Sequence, residues 1–302
     1  MASVPATTPR PRAAGPTQGG RAVEHRARRR PAAGSVGAYL LLAVVTVLLL
    51  FPVYWMLTIS LKIPREINRV PSLWPQTVTL DNYRELLGER GFLTNLRNST
   101  IVAGSVTLVS LFISSLAAYS LVRFRYRFRG LVGRLILFGY LMPTSLLFIP
   151  LSIIVARLNL GNSLQGLIVV YLTFSMPLST WLLTGYFRGV PAELEEQAMV
   201  DGATRMGALL RIVLPLSLPG LVAVGIFTFT AAWNELLLAL IFITSEDLRT
   251  VPLALQYLIT GDVYRWGPIM AGAVLSSLPV VILYFAAQRV MVQGATAGSV
   301  KG

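Results

Sequence analysis

Long uninterrupted apolar runs recur along this chain at about residues 37–61, 99–122, 131–156, 164–187, 216–243 and 267–290. Crossing about 30 Å of hydrocarbon takes about 20 residues of α-helix, and each of the six runs is long enough. A helix also satisfies its own backbone hydrogen bonds, which lipid would leave unpaired. The pattern therefore predicts an all-α integral membrane protein with six transmembrane helices. Prolines punctuate these spans at Pro52, Pro143, Pro150, Pro177, Pro219, Pro268 and Pro279. Each would cost a soluble helix about 3 kcal/mol, but in a bundle neighbouring helices and water satisfy the freed carbonyls. Such kinks suit a gated pore and a static bundle equally.

Composition narrows the class. Hydrophobic residues make up 54% of the chain and charged residues 13%, which excludes an ordinary soluble domain of this length. The absence of cysteine excludes disulfides, thiolate metal sites and a cysteine nucleophile. Basic residues are unevenly placed: seven precede the first span, five lie in Arg123–Arg134, three in 188–211 and two after 288, leaving nine on the opposite side. The positive-inside rule then puts both termini and the 188–215 loop in the cytoplasm.

The first 34 residues are rich in Pro, Ala, Gly and Arg and carry the cluster Arg26–Arg30. Residues 1–34 read as a disordered basic cytoplasmic tail drawn to anionic lipid, not as a nucleic-acid binder. The layout of a cleaved signal peptide is missing. His25, the only histidine, sits in this tail and is not read as a ligand. Residues 35–302 are the transmembrane domain.

One polar interval has a design of its own. Pro191 fits the first turn of a short helix, and Glu193, Glu195 and Glu196 complement its positive N-terminal end. Leu194, Ala198 and Asp201/Gly202 fall on one face, where the small Ala198 and Gly202 admit close approach by another protein. Gly202 is placed to end the helix in left-handed geometry, and Pro215 marks the entry to the next span.

The run Glu196-Gln197-Ala198, then Asp201-Gly202-Ala203-Thr204, then Ile212-Val213-Leu214-Pro215 and Pro219-Gly220 resembles the "EAA loop" of the membrane subunits of ATP-binding-cassette (ABC) importers. Gln197 departs from the family's usual Ala, which enlarges one position without opposing a helix. Ala232-Trp233-Asn234-Glu235, Thr250-Val251-Pro252, Trp266-Gly267 and the Asp81-Asn82-Tyr83 triplet are similar to the carbohydrate-uptake subgroup that includes the second maltose permease subunit. The resemblance runs from about residue 37 to the end.

It implies a type I ABC importer permease fold in a bacterial plasma (inner) membrane, with a coupling loop over about 189–213. Glu196, Gln197, Ala198, Asp201, Gly202, Ala203 and Pro215 would engage a separate ATPase. The implied partners are a second permease subunit, two ATP-binding subunits and an extracytoplasmic solute-binding protein, with no nucleic acid. This chain would bind no cofactor and would not be an enzyme; ATP and Mg would be used by the partner ATPase. Consistently, its only lysines are Lys62 and Lys301, and neither follows the Gly-x-x-x-x-Gly of a phosphate-binding loop.

Trp233, Asn234 and Glu235 are candidates for the solute pathway, because a carboxylate inside a span is expensive and normally faces a cavity or partner. The same triplet serves equally to pin the fifth span to its neighbours. Asn159, Asn162 and Gln165 read as solvated loop residues. A self-sufficient secondary transporter or channel using Glu235 as its coupling carboxylate is the alternative, although the halves show no obvious internal repeat. An intramembrane enzyme finds no His-based metal motif to support it.

Overall fold

The computed structural model describes residues 33–69, 72–260 and 263–299. The basic tail predicted over 1–34 lies outside these residues except for its last two, which open the first helix. The chain divides into two units, one ending at Leu50 and one beginning at Phe51, with the boundary inside helix α1 (Ala33–Ser60). In the first unit, the apolar side chains of Val36–Leu50 are all exposed, as suits a helix solvated by lipid.

Past the end of α1, the second unit holds two single helical turns, Pro64–Ile67 and Asp81–Arg84, and then the longer helices. In chain order these are α2 (Phe92–Arg123), α3 (Arg129–Leu141), α4 (Phe148–Arg157), α5 (Leu164–Arg188), α6 (Ala192–Val200), α7 (Arg205–Leu216), α8 (Leu218–Trp233), α9 (Leu237–Phe242), α10 (Val251–Gln256) and α11 (Trp266–Ser299). A two-residue antiparallel hairpin, Ile259–Thr260 with Val263–Tyr264, precedes α11.

Among the described residues four helices are individually long and apolar enough to cross a membrane, over Val36–Ser60, Phe92–Arg123, Leu164–Arg188 and Trp266–Met291. The predicted third and fifth spans are interrupted. The third stops at Leu141, passes through Met142 and Pro143 and a 3-10 turn at Thr144–Leu147, and resumes as α4. Pro143 has no N–H to continue the ladder and disfavours helical geometry in the residue before it. The fifth gives way at Asn234–Leu236 between α8 and α9. Upstream of α8, α7 is bent from it by 78°. The bend follows a π-turn at Leu209–Val213 and Pro215, two recognised causes of kinks.

Three apolar clusters form the core. One joins α2, α4, α5 and α9 through Val102, Val106, Leu151, Val170 and Phe242. A second gathers Phe92, Ala103, Trp233, Val251 and Ala271, and a third Tyr119, Leu183, Phe187, Leu209 and Val224. Between them runs a chain of buried hydroxyls. Ser110 donates to Ser179 at 3.1 Å, Ser179 pairs with Thr228 at 3.0 Å, and Ser114 donates to the Met176 carbonyl at 3.1 Å. Small hydroxyl residues let membrane helices approach closely while supplying hydrogen bonds across the contact.

Polar residues also tie loops to helix ends. The buried Asn82 donates to the carbonyls of Ser60 and Lys62, each at 2.9 Å. Asn95 and Asn98 donate to the Arg249 carbonyl, both at 3.1 Å, and Ser99 accepts the Val251 N–H at 2.8 Å. Asn162 is not merely solvated: its carbonyl oxygen accepts the N–H of Thr244 and of Ser245, at 2.9 and 3.1 Å.

Candidate functional site

The polar interval folds as expected around a single short helix. Pro191 sits one position earlier than predicted, as the N-cap of α6, and Glu193 and Glu195 fall in the first turn. At the other end, Gly202 adopts φ +91°. Its N–H reaches the Met199 carbonyl at 3.1 Å, while the Ala203 N–H reaches back to Ala198 at 2.9 Å. These two bonds satisfy carbonyls that the helix end would orphan, and the motif requires a left-handed residue at that position, which glycine supplies without strain.

Of the residues assigned to the coupling loop, Glu196, Gln197, Asp201 and Gly202 are exposed, and Ala198 and Ala203 are half-buried. Glu196, Gln197 and Asp201 line an open groove of about 530 Å³ with Glu193 and Val200. Val200 is 87% exposed, an apolar side chain without a cover in this chain. Pro215 does not join this group. It is exposed near the far end of α7, next to the bend.

Only one side chain of α6 is buried, and the sequence placed it at the helix's positive end but not among the coupling residues. Glu195 is 4% exposed and lies against the basic C-terminal end of α2. One carboxylate oxygen accepts from Arg123 Nε, and the other accepts from the Tyr119 hydroxyl at 2.9 Å. The Arg123 guanidinium also donates to the carbonyls of Val190, at 2.7 Å, and Phe187, at 3.4 Å. A guanidinium fork is suited to holding a carboxylate and carbonyls at once. Thus one cluster fastens α6 to the ends of both α2 and α5.

The Trp233-Asn234-Glu235 triplet points in three directions. Trp233 is buried, stacks on Phe229 with centroids 5.5 Å apart, and donates its indole N–H to the Ser276 carbonyl at 3.1 Å. Asn234 is exposed, and its amide donates to the Thr230 carbonyl at 2.9 Å. Glu235 accepts the N–H of Leu238 on both oxygens, at 3.1 and 3.0 Å, and that of Ala239 at 3.3 Å. It caps α9, so the break between α8 and α9 is satisfied from within the chain. Glu235 alone of the triplet also borders a cavity of about 240 Å³, together with Tyr140, Tyr171, Phe174 and Phe227.

A cap accepts through oxygen, so Glu235→Gln should retain stability within a few tenths of a kcal/mol, whereas Glu235→Ala should lose about 1 kcal/mol. Thermal unfolding midpoints of the detergent-purified chain check this; equal midpoints for the Ala variant and the wild type would remove the capping role.

Comparison with known proteins follows the same lines. Residues 86–296 match the family described as "Binding-protein-dependent transport system inner membrane component". The chain is 40% identical to the sulfoquinovosyl glycerol transport system permease protein of Agrobacterium fabrum over 254 residues, 84% of this chain and 89% of that one. It is 37% identical to the trehalose/maltose transport system permease protein of Thermococcus litoralis over 271 residues, 88% and 95% of the two chains. In fold it is similar to a chain of a bacterial ABC transporter that imports the acidic polysaccharide alginate, with a TM-score of 0.74, 22% identity, and coverage of 85% of this chain and 95% of that one. The relatives are named as permeases, not enzymes, and the match spans the helices and the polar interval alike. The chain therefore belongs to the inner membrane components of binding-protein-dependent ABC transport systems.

Proposed function

We propose that this chain is one of two permease subunits of an importer for a sugar or sugar-like solute. A binding protein delivers the solute outside the membrane, and two ATP-binding subunits drive the cycle from the cytoplasm. The observation that carries this reading is the presentation of α6. A polar helix held to the bundle by a single buried side chain turns a groove of Glu193, Glu196, Gln197, Val200 and Asp201 outward. Such a groove is suited to a protein partner. In this reading Glu196 through Ala203 dock on the ATPase, Pro215 steers the chain back into the membrane, and ATP and Mg stay with the partner.

The third and fifth runs would each cross the membrane despite their breaks, giving six crossings. The five arginines of the short 123–134 segment, and the total of 17 basic residues on the termini, 123–134 and 188–211 against nine on the opposite side, support cytoplasmic termini and a cytoplasmic α6. The sugar class is supported by the relatives' printed solutes, a sulfoquinovosyl glycerol and trehalose/maltose. A neighbour of the same fold was solved with an alginate pentasaccharide-bound periplasmic protein, which supports the binding-protein partner.

Affinity purification of the tagged chain from its native membrane in mild detergent tests the assembly. A second permease and a soluble ATPase in stoichiometric amounts are expected. Recovery of the chain alone across several detergents would overturn the reading.

A further inference from the structure

Both internal helix breaks open onto one cavity. Tyr140 and Thr144 reach it from the break between α3 and α4, and Glu235 and Leu238 from the break between α8 and α9. Irregular backbone at membrane depth is tolerated where protein covers it or a cavity lies beside it, and broken helices are a recurrent way of building a solute site. The cavity has a volume of about 240 Å³ and is partly open, which leaves room for a pyranose ring.

The lining matches such a ring in two respects. Tyr140, Tyr171, Phe174 and Phe227 offer aromatic surface to the apolar C–H face. Ser175 supplies a hydroxyl whose proton is directed within the bundle, to the Tyr171 carbonyl at 2.5 Å, and Thr228 one that pairs with Ser179 at 3.0 Å, either of the two being able to donate. The Ser175 oxygen therefore remains as an acceptor, complementary to a ligand rich in hydroxyl donors. Among the described residues no arginine or lysine lines the cavity, and its one charged side chain is the Glu235 carboxylate. An anionic group would find no counter-charge there.

We propose that this subunit carries its own solute site in this cavity, and that the site takes an uncharged pyranose unit. The proposal rests on the import reading above but concerns a different property, namely which subunit touches the sugar.

A diazirine-bearing glucoside and the corresponding glucuronide serve as probes on the complete complex in nanodiscs, with labelled peptides mapped by mass spectrometry. The glucoside is expected to label peptides from α5 and α8, in competition with excess methyl glucoside, and the glucuronide to label them about tenfold less. Filling the space with Ala231→Leu should lower glucoside labelling by about tenfold, with Phe227→Ala, which removes one stacking face, as the second variant. Co-purification of the ATPase, measured on each preparation, reports assembly separately. Assembled complex with no competed label in α5 or α8, or with equal labelling by both probes, overturns the site. Loss of the ATPase from the wild-type preparation overturns the import reading instead.

Discussion

Glu195→Gln is expected to leave the bundle folded yet cut the solute moved per ATP hydrolysed by at least about tenfold. Among the side chains of α6 only Glu195 is buried, and it meets the half-buried Arg123 guanidinium and the buried Tyr119 hydroxyl. The side chains of Arg123 and Glu195 are 14% and 5% exposed, so solvent screens the pair weakly. Removing one partner of such a pair costs about 3 kcal/mol, chiefly because the other charge stays buried without compensation. In population terms that is a factor of about a hundred in how often α6 sits in its seat. An ATPase pulling on a loosely seated helix moves the helix and not the bundle.

The partner substitution separates charge from geometry. Arg123→Lys keeps the positive charge but loses the fork that also reaches Val190 and Phe187, so its effect should be intermediate. ATP hydrolysis and solute uptake, both measured in proteoliposomes with the binding protein present, give the ratio. A merely structural role would lower both together with the amount of assembled complex. A wild-type ratio in assembled Glu195→Gln would show that the clamp transmits nothing.

How much of this was readable beforehand varies with how local the signal is. The helices over Val36–Ser60, Leu164–Arg188 and Trp266–Met291 were legible because each is one apolar run, and hydropathy averages well over such runs. The same averaging conceals the breaks at Pro143 and at Asn234–Leu236, since apolar residues flank both. Gly202 was legible because a left-handed helix end is a demand made by three or four adjacent residues. Glu195 was not. It sits in a group with Glu193 and Glu196, and which of them turns inward is decided by Arg123, 72 residues away. Arg123 itself counted only as one charge in a basic turn. Glu235 was noticed for the right reason, an expensive carboxylate in a span, yet its hydrogen bonds go to the next helix start and its neighbours Trp233 and Asn234 face elsewhere. Asn95, Asn98 and Ser99 give no local sign of their role, because the loop they hold, Asp247–Val251, comes about 150 residues later.

Gly202→Val should abolish ATP-driven uptake while sparing the six-run bundle. At φ +91° a Cβ would meet nothing within 4 Å, so the penalty is not a clash with a neighbour. It comes from the backbone itself, about 1–2 kcal/mol for an L-residue in left-handed geometry and more for a β-branched one. The cheapest relief is to leave that geometry, which breaks the Gly202–Met199 and Ala203–Ala198 bonds and swings α7 away from the end of α6. The groove of Glu196, Gln197, Val200 and Asp201 would then lose its shape, even with Glu195 still seated. Gly202→Asn decides between the two reasons for a glycine here. Asn tolerates left-handed φ, so it preserves the turn but adds bulk to a surface that a partner is proposed to approach. Recovery of uptake with Asn would make the turn the essential feature. Failure of Asn, with the ATPase still bound, would make close approach the essential one. Normal ATP-driven uptake with Val would remove Gly202 from the coupling surface altogether.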